Sequence, residues 1–200
     1  MKSMPNILTI LRLLACPLLI FLVYSEEMYW TLIIFVLACL TDFFDGYLAR
    51  KGSFKSNFGK FLDPIADKTL ILTMCFLIVF GMRLWQHMFE LLFSIPFLII
   101  LIREIIVSFL RFNLSRWNKN KNIDVSRLSK YKTFIQMLAI GGLLGFCFYD
   151  FFNDNDYKLI IKIYGGFVIF LTWLAAIITV ITGVQHYKTY LKLKQFEGKK

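Results

Sequence analysis

The sequence contains few charged residues, and acidic residues are the rarer kind. Charged side chains make up 18% of the 200 residues, whereas a typical soluble domain has about 25%. The 13 acidic residues are outnumbered by 23 basic ones, which gives a formal net charge of +10. The four cysteines show no CxxC spacing, so we expect them to pack as small apolar side chains. This composition is not that of a soluble globular domain.

Apolar residues make up 58% of the chain and occur in long, predominantly apolar runs. A membrane-spanning helix needs about 17–25 such residues. Six runs reach this length: roughly Ile7–Tyr24, Trp30–Leu48, Leu62–Met82, Met88–Leu110, Thr133–Phe152 and Leu159–Val184. They lack the alternation of apolar and polar residues that marks the strands of a membrane barrel. The sequence therefore predicts an all-α membrane protein with six transmembrane helices, forming a single domain over residues 1–200.

The basic residues are concentrated in three of the polar segments. These segments are Arg50–Lys60, Arg111–Lys132 and His186–Lys200. The other connectors are acidic or nearly neutral: Ser25–Tyr29, Arg83–His87 and Asn153–Lys158. This alternation follows the positive-inside rule, so both termini are expected in the cytoplasm, with the protein in a bacterial cytoplasmic membrane. The charge is expected to attract anionic membrane lipids, and nucleic acid is not an expected partner. The first residues, Met1–Arg12, are expected to form a short amphipathic segment at the cytoplasmic face, started or kinked by Pro5.

Four aspartates lie at or inside the ends of the second and third apolar runs: Asp42, Asp45, Asp63 and Asp67. Asp42 and Asp45 are three residues apart and share a helix face, which Gly46 and Ala49 continue with almost no side chain. Gly59, Asp63 and Asp67 follow one another at intervals of four and also share a face. Because a short loop joins the two runs, all four carboxylates are expected to line one polar cavity open to the cytoplasm.

Such a group of carboxylates is suited to hard divalent cations. Oxygen donors favour Mg²⁺ or Mn²⁺, and no His or Cys accompanies them that would indicate zinc. Two such ions balance four negative charges, and two-metal sites promote displacement at phosphorus. Capping of helix ends is the simple alternative, but it does not explain four aspartates at these spacings. The strip of small residues lets a phosphate-bearing ligand approach the backbone, with Arg50 as its partner.

The segment 42–67 resembles the signature of the CDP-alcohol phosphatidyltransferase family. The sequence DFFDGYLAR, eight further residues and then GKFLDPIAD fit the pattern DxxDGxxAR…GxxxDxxxD at all eight defining positions. The resemblance implies six transmembrane helices, a homodimer, divalent metal ions and displacement of CMP from a CDP-linked lipid by an alcohol. It implies that the four aspartates form the metal site, with Asp67 also the general base. It further implies that Gly46, Ala49, Arg50 and Gly59 line the CDP site.

Three flanking segments resemble the glycerol 3-phosphate branch of this family. They are SMPNILTILR at Ser3–Arg12, IREIIVSFLR at Ile102–Arg111 and LSKYKTFIQM at Leu128–Met137. The resemblance implies CDP-diacylglycerol and sn-glycerol 3-phosphate as substrates, giving phosphatidylglycerol phosphate and CMP. Phe109 and Ser129 stand where this branch often has glycine.

The basic residues near the aspartates are candidates for binding the acceptor's phosphate: Arg103, Arg111, Lys130 and Lys132. Arg103 lies about two turns inside an apolar run, where an unpaired cation is costly. A structural ion pair, with Glu104 or with an aspartate of the signature, is the alternative for Arg103. For Arg111, Lys130 and Lys132, the alternative is that their charge sets the membrane topology and binds lipid headgroups. Asn6 and Thr9 are candidate contacts for the cytidine or ribose, although helix capping and packing explain them equally well.

Two other functions remain open at this point. The first is the same family with another acceptor, namely phosphatidylglycerol, inositol phosphate or serine. The second is a cation- or proton-coupled transporter, since such proteins also carry carboxylates within the membrane. A transporter predicts acidic residues near the midplane on several helices, whereas here they gather at one face.

Overall fold

The computed structural model describes residues 4–51, 68–81, 89–117, 127–150 and 158–197. Within these ranges the chain contains six helices and no strand. The helices are α1 (Met4–Tyr24), α2 (Met28–Lys51), α3 (Lys68–Gly81), α4 (Phe89–Trp117), α5 (Arg127–Asp150) and α6 (Lys158–Glu197). The last turn of α3, Leu77–Gly81, is a π-helix. The predicted all-α class is confirmed, and one helix corresponds to each predicted apolar run.

Several helices extend beyond the apolar runs that predict them. The helix α2 continues to Lys51, so that Asp42 and Arg50 belong to the same helix. The helix α6 has 40 residues and continues to Glu197. The helix α1 begins at Met4 and runs without a break to Tyr24. The predicted N-terminal segment is therefore the first part of α1 and not a separate element.

A tight reversal between α1 and α2 brings the first turns of one beside the last turns of the other. The N–H of Glu27 donates to the carbonyl of Leu22 at 3.0 Å, and the N–H of Glu26 donates to the carbonyl of Val23 at 3.1 Å. This is the Schellman arrangement, which satisfies carbonyls at a helix end. Glu26 occupies the left-handed position that glycine usually takes, with φ of 60°. Since α1 and α2 then pack against each other, Arg12 lies at the same end of the pair as Asp42.

The helices pack through apolar side chains into one core. The helix α5 packs on α6 and α2, α4 packs on α6, and the π-helical end of α3 contacts α4 and α1. Fully buried residues from all six helices meet there, including Leu19, Phe35, Met74, Phe97, Leu143 and Val168. The buried hydroxyls of α6 are satisfied within that helix; for example, Thr179 donates to the carbonyl of Ala175 at 2.6 Å. These side chains therefore cost the bundle no unsatisfied polar group.

The outer faces of the bundle are also apolar. Large exposed side chains occur on every helix, among them Phe21, Leu37, Phe76, Ile105, Phe134 and Phe170. Contiguous apolar surface on this scale indicates contact with lipid. Two helices of the described chain, Leu91–Leu110 and Lys162–Leu191, are long and apolar enough to cross a membrane. The apolar parts of the other four have 10–17 residues within the described ranges.

Glycines allow α5 and α6 to approach closely. A Cβ at Gly165 would lie 2.8 Å from Cε2 of Phe146, and one at Gly145 would lie 2.9 Å from the hydroxyl oxygen of Tyr164. The Tyr164 hydroxyl donates to the carbonyl of Gly142 at 3.0 Å, and its ring stacks on that of Phe146 with centroids 6.3 Å apart. The neighbouring Gly166 has no atom within 4 Å of its Cβ position.

Replacing either of the two adjacent glycines, Gly165 and Gly166, by alanine should therefore affect stability differently. Gly165→Ala should destabilise the protein relative to Gly166→Ala by about 1–3 kcal/mol, the usual cost of overpacking. The gain in helix propensity is common to both variants and cancels. Thermal unfolding of the two purified variants in detergent measures the difference. Equal melting temperatures would show that α5 and α6 separate at no cost.

Candidate active site

Asp42 is held by an ion pair to Arg12. The Nη1 atom of Arg12 lies 2.9 Å from Oδ1 of Asp42. The Arg12 side chain has no exposed surface, whereas 26% of the Asp42 side chain is exposed. The pair joins α1 to α2 near the end of the bundle where α2 carries the aspartate signature. A carboxylate fixed in this way through Oδ1 still has a second oxygen that can face the exposed side.

The first half of the signature lies on one continuous helix. The backbone of α2 is helical throughout Asp42, Asp45, Gly46, Ala49 and Arg50, so their spacing of three or four residues places them along one side of it. Of this group, the structure describes the side chain of Asp42. The predicted roles of the other four depend on side chains outside the described residues.

The second half of the signature, Gly59, Asp63 and Asp67, lies outside the described residues. The chain is described again from Lys68, the residue that follows Asp67. The Nζ atom of Lys68 donates to Oγ of Ser108 on α4 at 2.7 Å. The chain that leaves Asp67 is therefore attached to α4 one residue later, which brings the start of α3 to the predicted basic side of the site.

A buried polar group, here called the Glu104 cluster (Glu104, Arg103, Lys132 and Thr182), joins α4, α5 and α6. Nη1 of Arg103 donates to Oε1 of Glu104 at 2.9 Å, and Nζ of Lys132 donates to the same oxygen. Nη2 of Arg103 donates to Oγ1 of Thr182 at 2.8 Å. Ser108, the partner of Lys68, donates to the backbone carbonyl of Glu104 at 2.6 Å. The contacts thus continue from the start of α3 to α6.

The cluster brings together two of the four predicted acceptor residues, Arg103 and Lys132. Arg103 is 8% exposed and Lys132 is 6% exposed. The ion pair of Arg103 with Glu104, which the sequence offers as an alternative to phosphate binding, is present. Arg111 lies on α4 and Lys130 on α5, but their side chains are outside the described set, as are those of Asn6 and Thr9 on α1.

An apolar groove of about 980 Å³ leads away from Asp42 between α2, α5 and α6. Its walls are almost entirely apolar, with Asp42 its charged residue. Prominent among the lining side chains are Leu32, Val36, Phe134, Leu138, Phe167 and Leu171. Gly141 and Gly142 leave room along α5. An apolar groove with a carboxylate at one end suits a ligand with a polar head and a hydrocarbon tail.

The metal site predicted from the aspartates requires Asp63 and Asp67, which lie within the undescribed segment 52–67, and the side chain of Asp45, which is also outside the described set. Among the side chains that the structure describes, no three His, Cys, Asp or Glu residues come together, and Asp42 represents the signature there. Its hard oxygen donors and partial exposure are suited to a divalent cation.

Most of the chain matches the sequence pattern of a known family. A sequence model of the CDP-alcohol phosphatidyltransferases matches residues 2–185. The chain belongs to the CDP-alcohol phosphatidyltransferase family. The assignment predicted from the aspartate signature is therefore confirmed, and members of this family generally depend on divalent metal ions. Family and apolar helices together indicate a membrane protein.

Several relatives carry one name, CDP-diacylglycerol–glycerol-3-phosphate 3-phosphatidyltransferase. The relative from Wigglesworthia glossinidia brevipalpis is 43% identical over 145 residues, which cover 71% of this chain and 76% of the relative. The relative from Rickettsia typhi is 39% identical over 192 residues, covering 94% and 97%. The relative from Haemophilus influenzae is 36% identical over 187 residues, covering 92% and 91%.

Four polar residues that contact the site were not among the predicted site residues. They are Arg12, Lys68, Ser108 and Thr182. Arg12 and Lys68 are charged residues inside apolar runs. A charge in such a run is costly, and that cost is a signal in the sequence that the two side chains need partners. Ser108 and Thr182 give no such signal, because small hydroxyl residues are common in membrane helices and can bond to their own backbone.

The Arg12–Asp42 pair predicts a specific loss of stability. Replacing Arg12 by Met leaves the partly buried carboxylate without this cation and should cost about 1–3 kcal/mol, less than for a fully buried pair because Asp42 is partly exposed. Thermal unfolding in detergent with EDTA measures the loss without a contribution from metal. In the double variant with Asp42→Asn, Arg12→Met should cost less, as the partner charge is already removed. Equal effects in both backgrounds would show that the pair does not stabilise α1 against α2.

Proposed function

We propose that the protein transfers the phosphatidyl group of CDP-diacylglycerol to sn-glycerol 3-phosphate, giving phosphatidylglycerol phosphate and CMP. The observation that carries this proposal is the similarity, over 94% of the chain, to a relative named for that reaction. The product belongs to the synthesis of the anionic membrane lipids phosphatidylglycerol and cardiolipin. The fold supports the proposal by placing one end of the aspartate signature at the mouth of an apolar groove.

CDP-diacylglycerol binds with its acyl chains in the groove that begins at Asp42. The apolar walls suit hydrocarbon chains, and the opening toward the outside of the bundle lets them remain continuous with the bilayer. The pyrophosphate then lies beside the end of α2, where Gly46 and Ala49 permit close approach and Arg50 pairs with phosphate. Gly59 belongs to the same site. Asn6 and Thr9, in the first turns of α1, contact the cytidine or the ribose.

The residues that would hold two divalent cations, Mg²⁺ or Mn²⁺, are Asp42, Asp45, Asp63 and Asp67. Such ions would supply the positive charge that neutralises the pyrophosphate and the departing phosphate. Arg12 contributes by fixing Oδ1 of Asp42, which limits the positions that this carboxylate can take. Preorganised ligands of this kind lose less entropy when they bind.

Glycerol 3-phosphate enters from the cytoplasm and binds through its phosphate to Arg103, Arg111, Lys130 and Lys132. Its primary hydroxyl attacks the lipid-side phosphorus, forming a new P–O bond while the bond to CMP breaks. Asp67 accepts the proton of that hydroxyl as general base. Arg50 stabilises the negative charge on departing CMP.

All six helices cross the membrane in this proposal. Their basic ends, including the start of α5 and the end of α6, lie at the cytoplasmic face, as the positive-inside rule requires. Both termini are then cytoplasmic, and the polar cavity opens toward that side. We place the single domain of residues 1–200 in a bacterial cytoplasmic membrane as a homodimer, surrounded by anionic lipid.

The acceptor can be tested directly with a panel of alcohols. Purified protein with radiolabelled CDP-diacylglycerol should use glycerol 3-phosphate, and should use glycerol, serine, inositol phosphate and phosphatidylglycerol poorly. Thin-layer chromatography of the lipid products measures each rate. Arg111→Ala and Lys130→Ala should each raise the KM for glycerol 3-phosphate by about 10- to 100-fold, since a charge-assisted contact contributes roughly 1.5–3 kcal/mol.

Lys188→Ala is the control, because Lys188 is an exposed residue of α6 to which no part of the site is assigned. It should leave the KM for glycerol 3-phosphate unchanged. Equal rates with glycerol, or equal effects of Lys188→Ala and Lys130→Ala, would remove the glycerol 3-phosphate assignment. The family assignment does not depend on that outcome.

Metal removal is expected to abolish the reaction. EDTA should reduce the rate to background, and excess Mg²⁺ or Mn²⁺ should restore it, whereas Zn²⁺ should restore it poorly because carboxylate oxygens are hard ligands. Release of CMP measures the rate. Undiminished activity after exhaustive chelation would contradict the assignment of the four aspartates as metal ligands.

A further inference from the structure

A single carboxylate oxygen connects two cations of the proposed acceptor site. Oε1 of Glu104 accepts from Nη1 of Arg103 at 2.9 Å and from Nζ of Lys132. Arg103 comes from α4 and Lys132 from α5, so the distance between the two cationic groups depends on this shared partner. Glu104 is 5% exposed, which keeps water from replacing either contact.

The charges in this group are unequal. Glu104 contributes one negative charge, whereas Arg103 and Lys132 contribute two positive ones, so these three side chains together carry one positive charge. Lys68 adds a further cation nearby, because its partner Ser108 also donates to the carbonyl of Glu104 at 2.6 Å. A simple structural ion pair needs one cation for one carboxylate. Two cations converging on one oxygen form a group that favours an additional anion, and phosphate suits both arginine and lysine.

We infer that Glu104 is a positioning residue for the acceptor's phosphate, holding the guanidinium of Arg103 and the ammonium of Lys132 at a fixed spacing. Glu104 does not itself contact the acceptor, since like charges would repel. The inference rests on the proposed function, because it concerns how the acceptor site of that reaction is held together.

The helix α6 completes the placement of Arg103. Thr182 accepts from Nη2 of Arg103 at 2.8 Å. The next residue is Gly183, where a Cβ would lie 3.0 Å from Nε and 3.1 Å from Cγ of Arg103. A Cβ at this position would therefore require the Arg103 side chain to shift by a few tenths of an ångström, whereas Gly166 on the same helix has open space around its Cβ position. The two glycines form a matched pair that tests the position of Arg103 without removing a charge.

The first test is Glu104→Gln in the purified full-length protein, with separate titrations of the two substrates. The KM for glycerol 3-phosphate should rise by about 10- to 100-fold, as expected when a charge-assisted contact is lost. The KM for CDP-diacylglycerol and kcat should stay close to the wild-type values. Glu104→Asp retains the carboxylate and should recover part of the acceptor affinity. In a Lys132→Met background, Glu104→Gln should have a smaller effect, since it acts through that lysine.

The second test covers the case in which Glu104→Gln does not fold. Gly183→Ala should raise the KM for glycerol 3-phosphate, whereas Gly166→Ala should not. Both variants keep every charge in the protein, and both replace a glycine of α6 by alanine. A difference between them therefore reports the displacement of Arg103.

Three outcomes would overturn the inference. The first is a wild-type KM for glycerol 3-phosphate in Glu104→Gln, or in Gly183→Ala where the glutamine variant is unfolded. The second is an equal change in kcat and in both KM values, because a purely structural role predicts general loss. The third is wild-type protein that saturates with an unphosphorylated acceptor and does not use glycerol 3-phosphate. That last result removes the proposed function together with the inference, whereas the first two leave the proposed function in place.

Discussion

Charged side chains inside an apolar bundle must have partners, and the arrangement of the candidate site depends on this constraint. A charge at the centre of a membrane helix costs several kcal/mol on insertion scales, about 2.5–3.5. Among the described residues, the chain meets this cost by pairing charges between helices as well as along α4, where Arg103 contacts Glu104. Arg12 of α1 pairs with Asp42 of α2, and Glu104 of α4 pairs with Lys132 of α5. Each of these two pairs fixes the position of one helix along its neighbour. Apolar packing by itself would let the two helices slide past each other.

The described ion pairs lie on two sides of the proposed site. The pair on α1 and α2 belongs to the aspartate side, and the Glu104 cluster belongs to the basic side. Lys68 connects the two, because it directly follows Asp67 in the chain and donates to Ser108 beside Glu104. In the proposed reaction the acceptor carries a hydroxyl for the aspartate side and a phosphate for the basic side, and Lys68 is a described residue that links the two along the chain.

Much of the fold follows from simple patterns in the sequence. Apolar runs predict all six helices, because burial of an apolar face and satisfaction of the backbone in lipid both favour helices. The helix ends are predicted less well: α6 continues to Glu197, since polar residues such as Lys and Gln are good helix formers beyond the apolar run. The family is evident from the fixed spacing within 42–67. Contacts between helices are not evident, because the partner of Arg12 is 30 positions away and that of Lys132 is 28 positions away.

The hydroxyl partners are the least predictable part of the site, and they show how the bundle uses neutral residues. Thr182 both accepts from Arg103 and donates to the carbonyl of Ile178 at 2.9 Å. The hydroxyl of Ser108 likewise accepts from Nζ of Lys68 while it donates to the backbone carbonyl of Glu104. A hydroxyl that can do both joins a cation to a helix backbone without adding a second charge. Arg103 is thereby held inside the bundle through one carboxylate and one hydroxyl. Glu104 in turn accepts from both Arg103 and Lys132 on one oxygen, and this shared contact between α4 and α5 is the geometry on which the proposed acceptor site depends.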